Sequence, residues 1–460
     1  MIASRRIDLL ARLPWLRRVL QWRAFQPVLM LCTLAGFTLV ILTGLLGTPA
    51  GNRNFDLIFV WIVWWALLII ILVPFFGRLW CAICPIPAPG EWLQRRAIIS
   101  RAPGQPRARN WRWPRRLRNM WLQNFGFLGV ALFSAIILTR PGVSALLLLG
   151  FLLAGVVFSA LYRNRVFCRY VCPVGGFVGL YAMMAPLELR VRDPQVCLNH
   201  RTKDCVTGNA QGYGCPWMVF PGNLTRNVYC GLCTECLKTC PKNNIVFNLR
   251  PFGSDLLVAE ERRLDEAYKA FIMLGCALAY AAVLLGPWGW LKSWANIDSL
   301  PHWALYAAGF LALNLAVLPG LYWCVTAIAR RASGQPSPLR RLFVDYAYAL
   351  VPLGLAAWIA FSLSFVLVNG SYALGALSDP FGWGWNLWGT ADAPWTPLPP
   401  GPIAFLQVST LTAGLLFATY IAYRIARQHS RGHRPAFVAT LPLAGFFLAV
   451  TLVFLALYLG

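Results

Sequence analysis

Nine stretches of this chain are apolar for long enough to cross a lipid bilayer as helices. They lie near residues 27–47, 55–77, 121–139, 142–161, 268–288, 303–325, 343–368, 402–423 and 437–459. No stretch alternates apolar and polar residues as a half-buried strand would, and an isolated segment inside lipid must satisfy its own backbone polar groups, so each is expected to be helical. The first run is too long for the core of a cleaved signal peptide and reads as a retained helix. Composition agrees: 58% of the 460 residues are hydrophobic and 12% charged, where a soluble domain carries about a quarter. Membrane lipid is therefore the first expected partner.

The formal charge of +25 does not point to nucleic acid, because the basic residues sit in the loops between apolar runs. Arg5, Arg6, Arg12, Arg17, Arg18 and Arg23 precede the first run. With the N-terminus placed inside, only Arg53, Arg140 and Lys292 of the 41 Lys and Arg residues fall outside. This asymmetry predicts a multi-pass protein of a prokaryotic inner membrane, with a cytoplasmic N-terminus and, after nine crossings, an outer C-terminus. Two inner segments stand out: 78–120, with Pro103, Pro106 and Pro114, and 162–266, with nine of the fourteen cysteines. The outer segment 369–401 carries Trp383, Trp385, Trp388 and Trp395, read as interfacial anchors or, alternatively, as a docking surface for an outer partner.

Cys230-x2-Cys233-x2-Cys236-x3-Cys240-Pro241 has the spacing of a bacterial-type ferredoxin, in which three thiolates hold one cubane and the fourth serves another. A structural zinc site would more often show two separated pairs. Cys197, Cys205 and Cys215-Pro216 lie upstream. The crossed pattern joins Cys215 to Cys230, Cys233 and Cys236, and Cys240 to Cys197 and Cys205. The second set lacks one thiolate. His200 stands where a cysteine would normally lie, and imidazole is a competent iron ligand, so His200 is the expected fourth ligand. A three-iron cluster, an Asp204 ligand and a plain surface role for His200 are the alternatives.

A repeat lies before this domain. The second span runs into Arg78-Leu-Trp-Cys81-x2-Cys84-Pro85 and the fourth into Arg165-Val-Phe-Cys168-x3-Cys172-Pro173. If the two hairpins pack together, Cys81, Cys84, Cys168 and Cys172 offer four thiolates for a third iron–sulfur cluster; zinc and two reducible disulfides remain open. The apolar segment 173–187 is too short to span and is expected at the membrane interface, where a quinone head group would find room. Cys32, Cys276 and Cys324 stand singly within spans and read as packing residues. The four histidines, His200, His302, His429 and His433, all lie outside mid-span positions, so no membrane haem is expected. There is no nucleotide fingerprint, no catalytic residue is expected, and intramembrane charges are too sparse for an ion pump.

At these motifs the chain resembles the NapH/NosR-type membrane polyferredoxins over about residues 25–250. Cys168-x3-Cys172-Pro173 and Cys230 to Pro241 fit that pattern; Cys81-x2-Cys84-Pro85 is one residue short of it, and the Cys197–Cys215 stretch departs from it. The resemblance implies a relay between quinol and respiratory or maturation partners beyond the cytoplasm. The fold expected is an all-α polytopic membrane protein of about nine transmembrane helices with a small α+β two-cluster ferredoxin domain on the cytoplasmic side. Residues 1–187 would form a four-helix membrane domain, 188–262 the ferredoxin-like domain, and 263–460 a five-helix membrane domain of unassigned role. The expected function is an electron-transfer subunit of a membrane oxidoreductase, working with quinone or a cytoplasmic donor and with partner subunits such as an outer cytochrome or metalloenzyme. The alternative is a maturation or redox-sensing protein that supplies reductant for metal-centre assembly.

Overall fold

A computed structural model describes residues 6–99, 109–134 and 136–459. Arg5, Pro103 and Pro106 lie outside the described residues. The chain is mostly helical, and among the described residues eight helices are long and apolar enough to cross a membrane. They are Phe25–Leu46, Phe55–Phe76, Pro141–Leu161, Leu264–Leu284, Leu300–Ser333, Leu339–Asn369, Pro400–His429 and His433–Leu459. The protein is thus a multi-pass membrane protein. The expected third span is shorter than read from its apolar run. It forms the helix Trp121–Ser134 and then a 3-10 turn, Ile137–Thr139, because Ile136 leaves the helical region at φ −133°.

The chain groups into two compact units. One takes Met1–Leu39, Ile71–Gln123 and Leu147–Asp255; the other takes Val40–Ile70, Asn124–Leu146 and Leu256–Gly460. All the cysteines of the two motif regions belong to the first.

The first unit holds a three-stranded antiparallel sheet, ordered β1 (Ile7–Asp8), β3 (Ile245–Leu249), β2 (Leu187–Val191). Alternate residues of a strand face opposite sides. Leu187 and Leu189 of β2 and Ile245 and Phe247 of β3 face a core shared with Leu10, Cys205, Leu232 and Cys236. Glu188 and Arg190 take the other face, where charge is buried and paired. Glu188 meets Arg250 at 3.0 Å and Arg190 at 3.4 Å, Arg190 meets Asp255 at 3.3 Å, and Arg250 also pairs with Asp255. Asp255 further accepts the Asn227 amide at 2.6 Å. β1 comes from the basic N-terminal stretch, which the sequence presented only as a charged flank; Arg6 reaches Glu188 at 3.1 Å.

In the second unit, Trp358 anchors the helical packing. Its indole N–H donates to the Met273 carbonyl at 2.9 Å, and its ring meets Trp65 and Tyr280 edge-on at 5.6 Å. Asp345 accepts from His429 Nε2 at 2.8 Å, and His429 Nδ1 meets Ser337 Oγ at 2.9 Å. Trp383, Trp385, Trp388 and Trp395 are exposed.

The Glu188–Arg190–Arg250–Asp255 network makes a stability prediction. Removing one partner of a buried ion pair strands the other charge, at about 3–5 kcal/mol. Asp255→Ala is expected to lower the thermal midpoint of the detergent-solubilised protein strongly, while Arg192→Ala, which removes the half-exposed pairing with Asp8 at 3.2 Å, is expected to shift it little.

Candidate metal centre

Both Cys-Pro motifs end a helix at the cysteine. A residue before proline is pushed out of the helical region, and Cys84 (φ −59°, ψ 132°) and Cys172 (φ −57°, ψ 117°) show this. Cys81 lies on the short helix Leu79–Ile83. Cys168 lies on Phe167–Val171, a turn of π-helix closed by the Cys172 amide on the Phe167 carbonyl at 2.8 Å. A π-turn holds one residue more than an α-turn, so it accommodates the extra residue of Cys168-x3-Cys172 relative to Cys81-x2-Cys84. The carbonyls freed at these helix ends are taken by side chains. Arg165 donates to the Cys81 carbonyl at 2.7 Å, Gln26 to Ala82 at 2.7 Å, Thr33 to Ile83 at 2.6 Å and Gln123 to Cys168 at 3.3 Å.

The ferredoxin-like run winds through strained backbone. Five of the eight non-glycine residues with positive φ among those described are Lys203, Met218, Leu232, Thr234 and Asn243. Such conformations persist where surrounding structure over-determines them. Cys236 sits on the short helix Glu235–Thr239, which stops at Cys240 before Pro241. Gly231 is required by close approach: a Cβ there would stand 2.1 Å from Trp217 Nε1.

The fourteen cysteines are all free thiols, and twelve candidate ligands fall into three groups. Cys81, Cys84, Cys168 and Cys172 act on one another electrostatically. Cys215 acts on Cys233 and Cys236, and Cys230 on Cys215 and Cys236. Cys205 feels Cys197 and Cys240. These three cysteines and His200 line one recess with Phe220 and Asn244. His200 Nε2 meets Thr202 Oγ1 at 3.0 Å. The groups follow one another: Cys168, Cys172 and Cys233 share a hydrophobic core with Trp217, with Cys81 and Cys215 at its edge, and Cys205 and Cys236 share the next, with Cys230 and Cys240 at its edge.

Burial disfavours the thiolates. It pushes Cys172, Cys205, Cys215 and Cys230 up to about 11 and Cys233 to about 12. Cys84, Cys168 and Cys236 also rise, through burial first and neighbouring cysteines second. Metal ligands must be deprotonated, so these sites hold thiolates where positive charge is supplied. Part of it is built in. Arg165 acts against the shift at Cys84, Cys168 and Cys233, Arg78 at Cys172 and Cys230, and Arg169 at Cys215.

The donor set fits an iron–sulfur cluster on a further observation. Buried N–H groups without partners gather beside the thiols: Arg78 Nε and Nη2, Arg169 Nε and Trp217 Nε1. Such donors are costly unless satisfied, and cluster sulfurs accept hydrogen bonds. Donors already reach the cysteine sulfurs: the Gly175 amide to Cys172 Sγ at 3.3 Å, Asn244 Nδ2 to Cys197 Sγ at 3.2 Å and the Asn244 amide to Cys240 Sγ at 3.4 Å.

Two expectations change. Segment 173–187 does not lie open on the surface: it forms the helix Pro173–Tyr181, buried at every residue but Val174, and then enters β2. Its apolar character serves packing around the thiols. Cys32 and Cys324 are exposed on their helices rather than packed inside, while Cys276 is buried and meets Asn314 Oδ1 at 3.6 Å. Asn244, Gln26, Thr33 and Gln123 escaped sequence reading, since uncharged polar residues carry no spacing signal.

Fold and donor set together define a polytopic membrane protein with thiol-rich sites suited to iron–sulfur clusters. Comparison with known proteins narrows the class: residues 57–114 and 144–191 match a family model described as a 4Fe-4S binding domain, each segment containing one of the Cys-Pro motifs. The match accords with the resemblance to the membrane polyferredoxins. The chain is similar to YccM of Escherichia coli K12, provisionally named an electron transport protein, at 27% identity over 98 residues, 21% of this chain and 25% of that one. It is similar to the uncharacterized protein MJ0749 of Methanocaldococcus jannaschii at 26% identity over 119 residues, 26% of this chain and 43% of that one. The matches thus span less than half of either relative. No solved structure matches.

Asn244 gives a test of the recess. Hydrogen bonds to ligand sulfurs raise reduction potential by favouring the more negative state. In Asn244→Ala, the EPR signal that depends on Cys197 is expected to titrate at lower potential than in the wild type, with iron content retained.

Proposed function

We propose that this protein is a membrane-bound iron–sulfur electron-transfer component with three cluster sites in series. The observation that carries the reading is the two shared cores, one joining the Cys81/Cys84/Cys168/Cys172 group to the Cys215/Cys230/Cys233/Cys236 group and one joining that group to Cys197/Cys205/Cys240. Cys81, Cys84, Cys168 and Cys172 hold the first cluster. Cys215, Cys230, Cys233 and Cys236 hold the second. Cys197, Cys205 and Cys240 hold the third, with His200 as its fourth ligand. A bound cluster supplies one-electron chemistry; the chain supplies spacing, burial and charge. The Cys215 amide donates to the Cys205 carbonyl at 2.9 Å, and the Arg165 amide to Pro216 at 2.9 Å, so backbone bonds tie the successive sites.

Four thiolates also suit a structural zinc, and the iron and acid-labile sulfide content of the protein distinguishes the two metals.

Convergence of the two Cys-Pro motifs also bears on topology. Phe55–Phe76 and Pro141–Leu161 both lead into the same thiol group, so their ends lie on one side, and the chain between them crosses an even number of times. With segment 121–139 as the additional crossing the spans number nine. With the basic loops taken as inner, the N-terminus and the cluster sites lie in the cytoplasm and the C-terminus outside. Electrons would enter from quinol or a cytoplasmic donor and leave to partner redox subunits. The provisional naming of YccM as an electron transport protein supports this reading over a purely structural role for iron.

Iron, acid-labile sulfide and EPR on anaerobically purified protein test it. About twelve irons per chain are expected for three cubanes; about eight would leave the first group without a cluster, and negligible iron in folded protein would sink the reading. His200→Ala is expected to change the EPR of the third site. A spectrum and iron content identical to the wild type would remove His200 as a ligand.

A further inference from the structure

We propose that Arg78 sets the reduction potentials of the two cluster sites it stands between, because its buried positive charge has no carboxylate partner. This rests on the cluster reading above. Arg78 and Arg165 hold equivalent places, each three residues before the first cysteine of its motif, and both are buried. Each reaches the other copy: Arg165 donates to the Cys81 carbonyl, and Arg78 lies against the helix that follows Cys172.

Their charges are treated differently. Arg165 is neutralised by Glu91, Nε on Oε1 at 2.7 Å and Nη2 on Oε2 at 2.8 Å. Burial raises the Glu91 carboxyl, but the Arg165 and Arg95 guanidiniums overcome this and hold it below its ordinary value. Aligned on Pro85 and Pro173, the residue of the second copy that corresponds to Glu91 is Gly179. A Cβ at Gly179 would stand 3.0 Å from Arg78 Nη1 and 3.1 Å from the Val228 carbonyl oxygen. The guanidinium thus fills the space where the first copy keeps its carboxylate.

Among the described residues no carboxylate pairs with Arg78. Nη1 donates to the Val228 carbonyl, the guanidinium stacks over Trp217 at 4.4 Å, and Nε and Nη2 have no partner. The place of a Cβ on Gly175 is 3.5 Å from Nη2 and 3.4 Å from Cys172 Cβ, so the cation abuts the first site. Its charge also acts on Cys230 of the second. Arg169 likewise lacks a carboxylate among the described residues, but gives Nη1 to the Trp217 and Met218 carbonyls and acts on Cys215 of the second site.

A guanidinium stays charged at any working pH. One-electron reduction adds one negative charge to a cluster. An adjacent unneutralised cation in poorly screened surroundings favours that state, so Arg78 raises both potentials. Glu91 cancels the same effect of Arg165.

The test is redox-poised EPR on the full-length protein in detergent, comparing wild type with Arg78→Gln, Arg78→Lys and Glu91→Gln, with iron and sulfide measured on each. At a poise near the wild-type midpoints, Arg78→Gln is expected to lower the reduced-to-oxidised ratio of the first- and second-site signals about tenfold, which is 59 mV for one electron. Arg78→Lys should recover most of the shift, and Glu91→Gln should move the first site upward. Full iron with unmoved midpoints in Arg78→Gln overturns the proposal, as does an equal fall in Arg78→Lys, which would mark shape rather than charge. If Arg78→Gln does not retain iron, Glu91→Gln decides: a midpoint that stays or falls overturns it. A wild type without iron would instead fault the cluster reading on which the proposal stands.

Discussion

Proline disfavours the α conformation in the residue before it, and the first thiol group depends on that preference twice. Cys84 and Cys172 each close a helix in an extended conformation, so the two hairpins deliver their thiols at a sharply defined end rather than along a helix face. The stop leaves carbonyls without intrahelical partners. Arg165, Gln26, Thr33 and Gln123 satisfy them from elsewhere in the unit, and this locks the ends that carry the cysteines. The π-turn at Phe167–Val171 lets two motifs of unequal spacing reach the same arrangement.

Burial then sets the electrostatic problem. Thiols as buried as Cys168 and Cys236 resist ionisation, and guanidiniums as buried as Arg78, Arg165 and Arg169 resist being left alone. Each kind of group relieves the other only in part: Arg165 has Glu91, whereas Arg78 and Arg169 retain orphaned donors beside the sulfurs. Thiolates, cations and a metal cluster arriving together satisfy all three, which couples metal loading to the stability of this unit.

Much of this was legible in the sequence, for physical reasons. The apolar runs place the helices because lipid leaves the backbone no alternative. The cysteine spacings place their thiols near one another because short loops permit little else. Other features left no trace of that kind. β1 is only Ile7–Asp8 and lies within a run of arginines, so its pairing with Ile245–Leu249 depends on contacts far along the chain. The helix Pro173–Tyr181 has the composition of an interfacial segment, yet it is enclosed, and composition cannot tell one apolar environment from the other. Asn244 became visible only when its amide was found on Cys197 Sγ.

The exchange of arginines between the two copies explains why both hairpins are needed. Arg165 of the second copy completes the helix end at Cys81 in the first, and Arg78 of the first fills the space at Gly175 and Gly179 in the second. Either hairpin alone would leave a guanidinium without its acceptor and a cysteine loop without its cation. The repeat is therefore reciprocal in its contacts, and it departs from symmetry where Glu91 in one copy is answered by Gly179 in the other. That departure faces Trp217 and the Cys230 loop, the direction in which the ferredoxin-like sites lie. An exact repeat would have neutralised both arginines. This one keeps an uncompensated cation on the side where the first site meets the second.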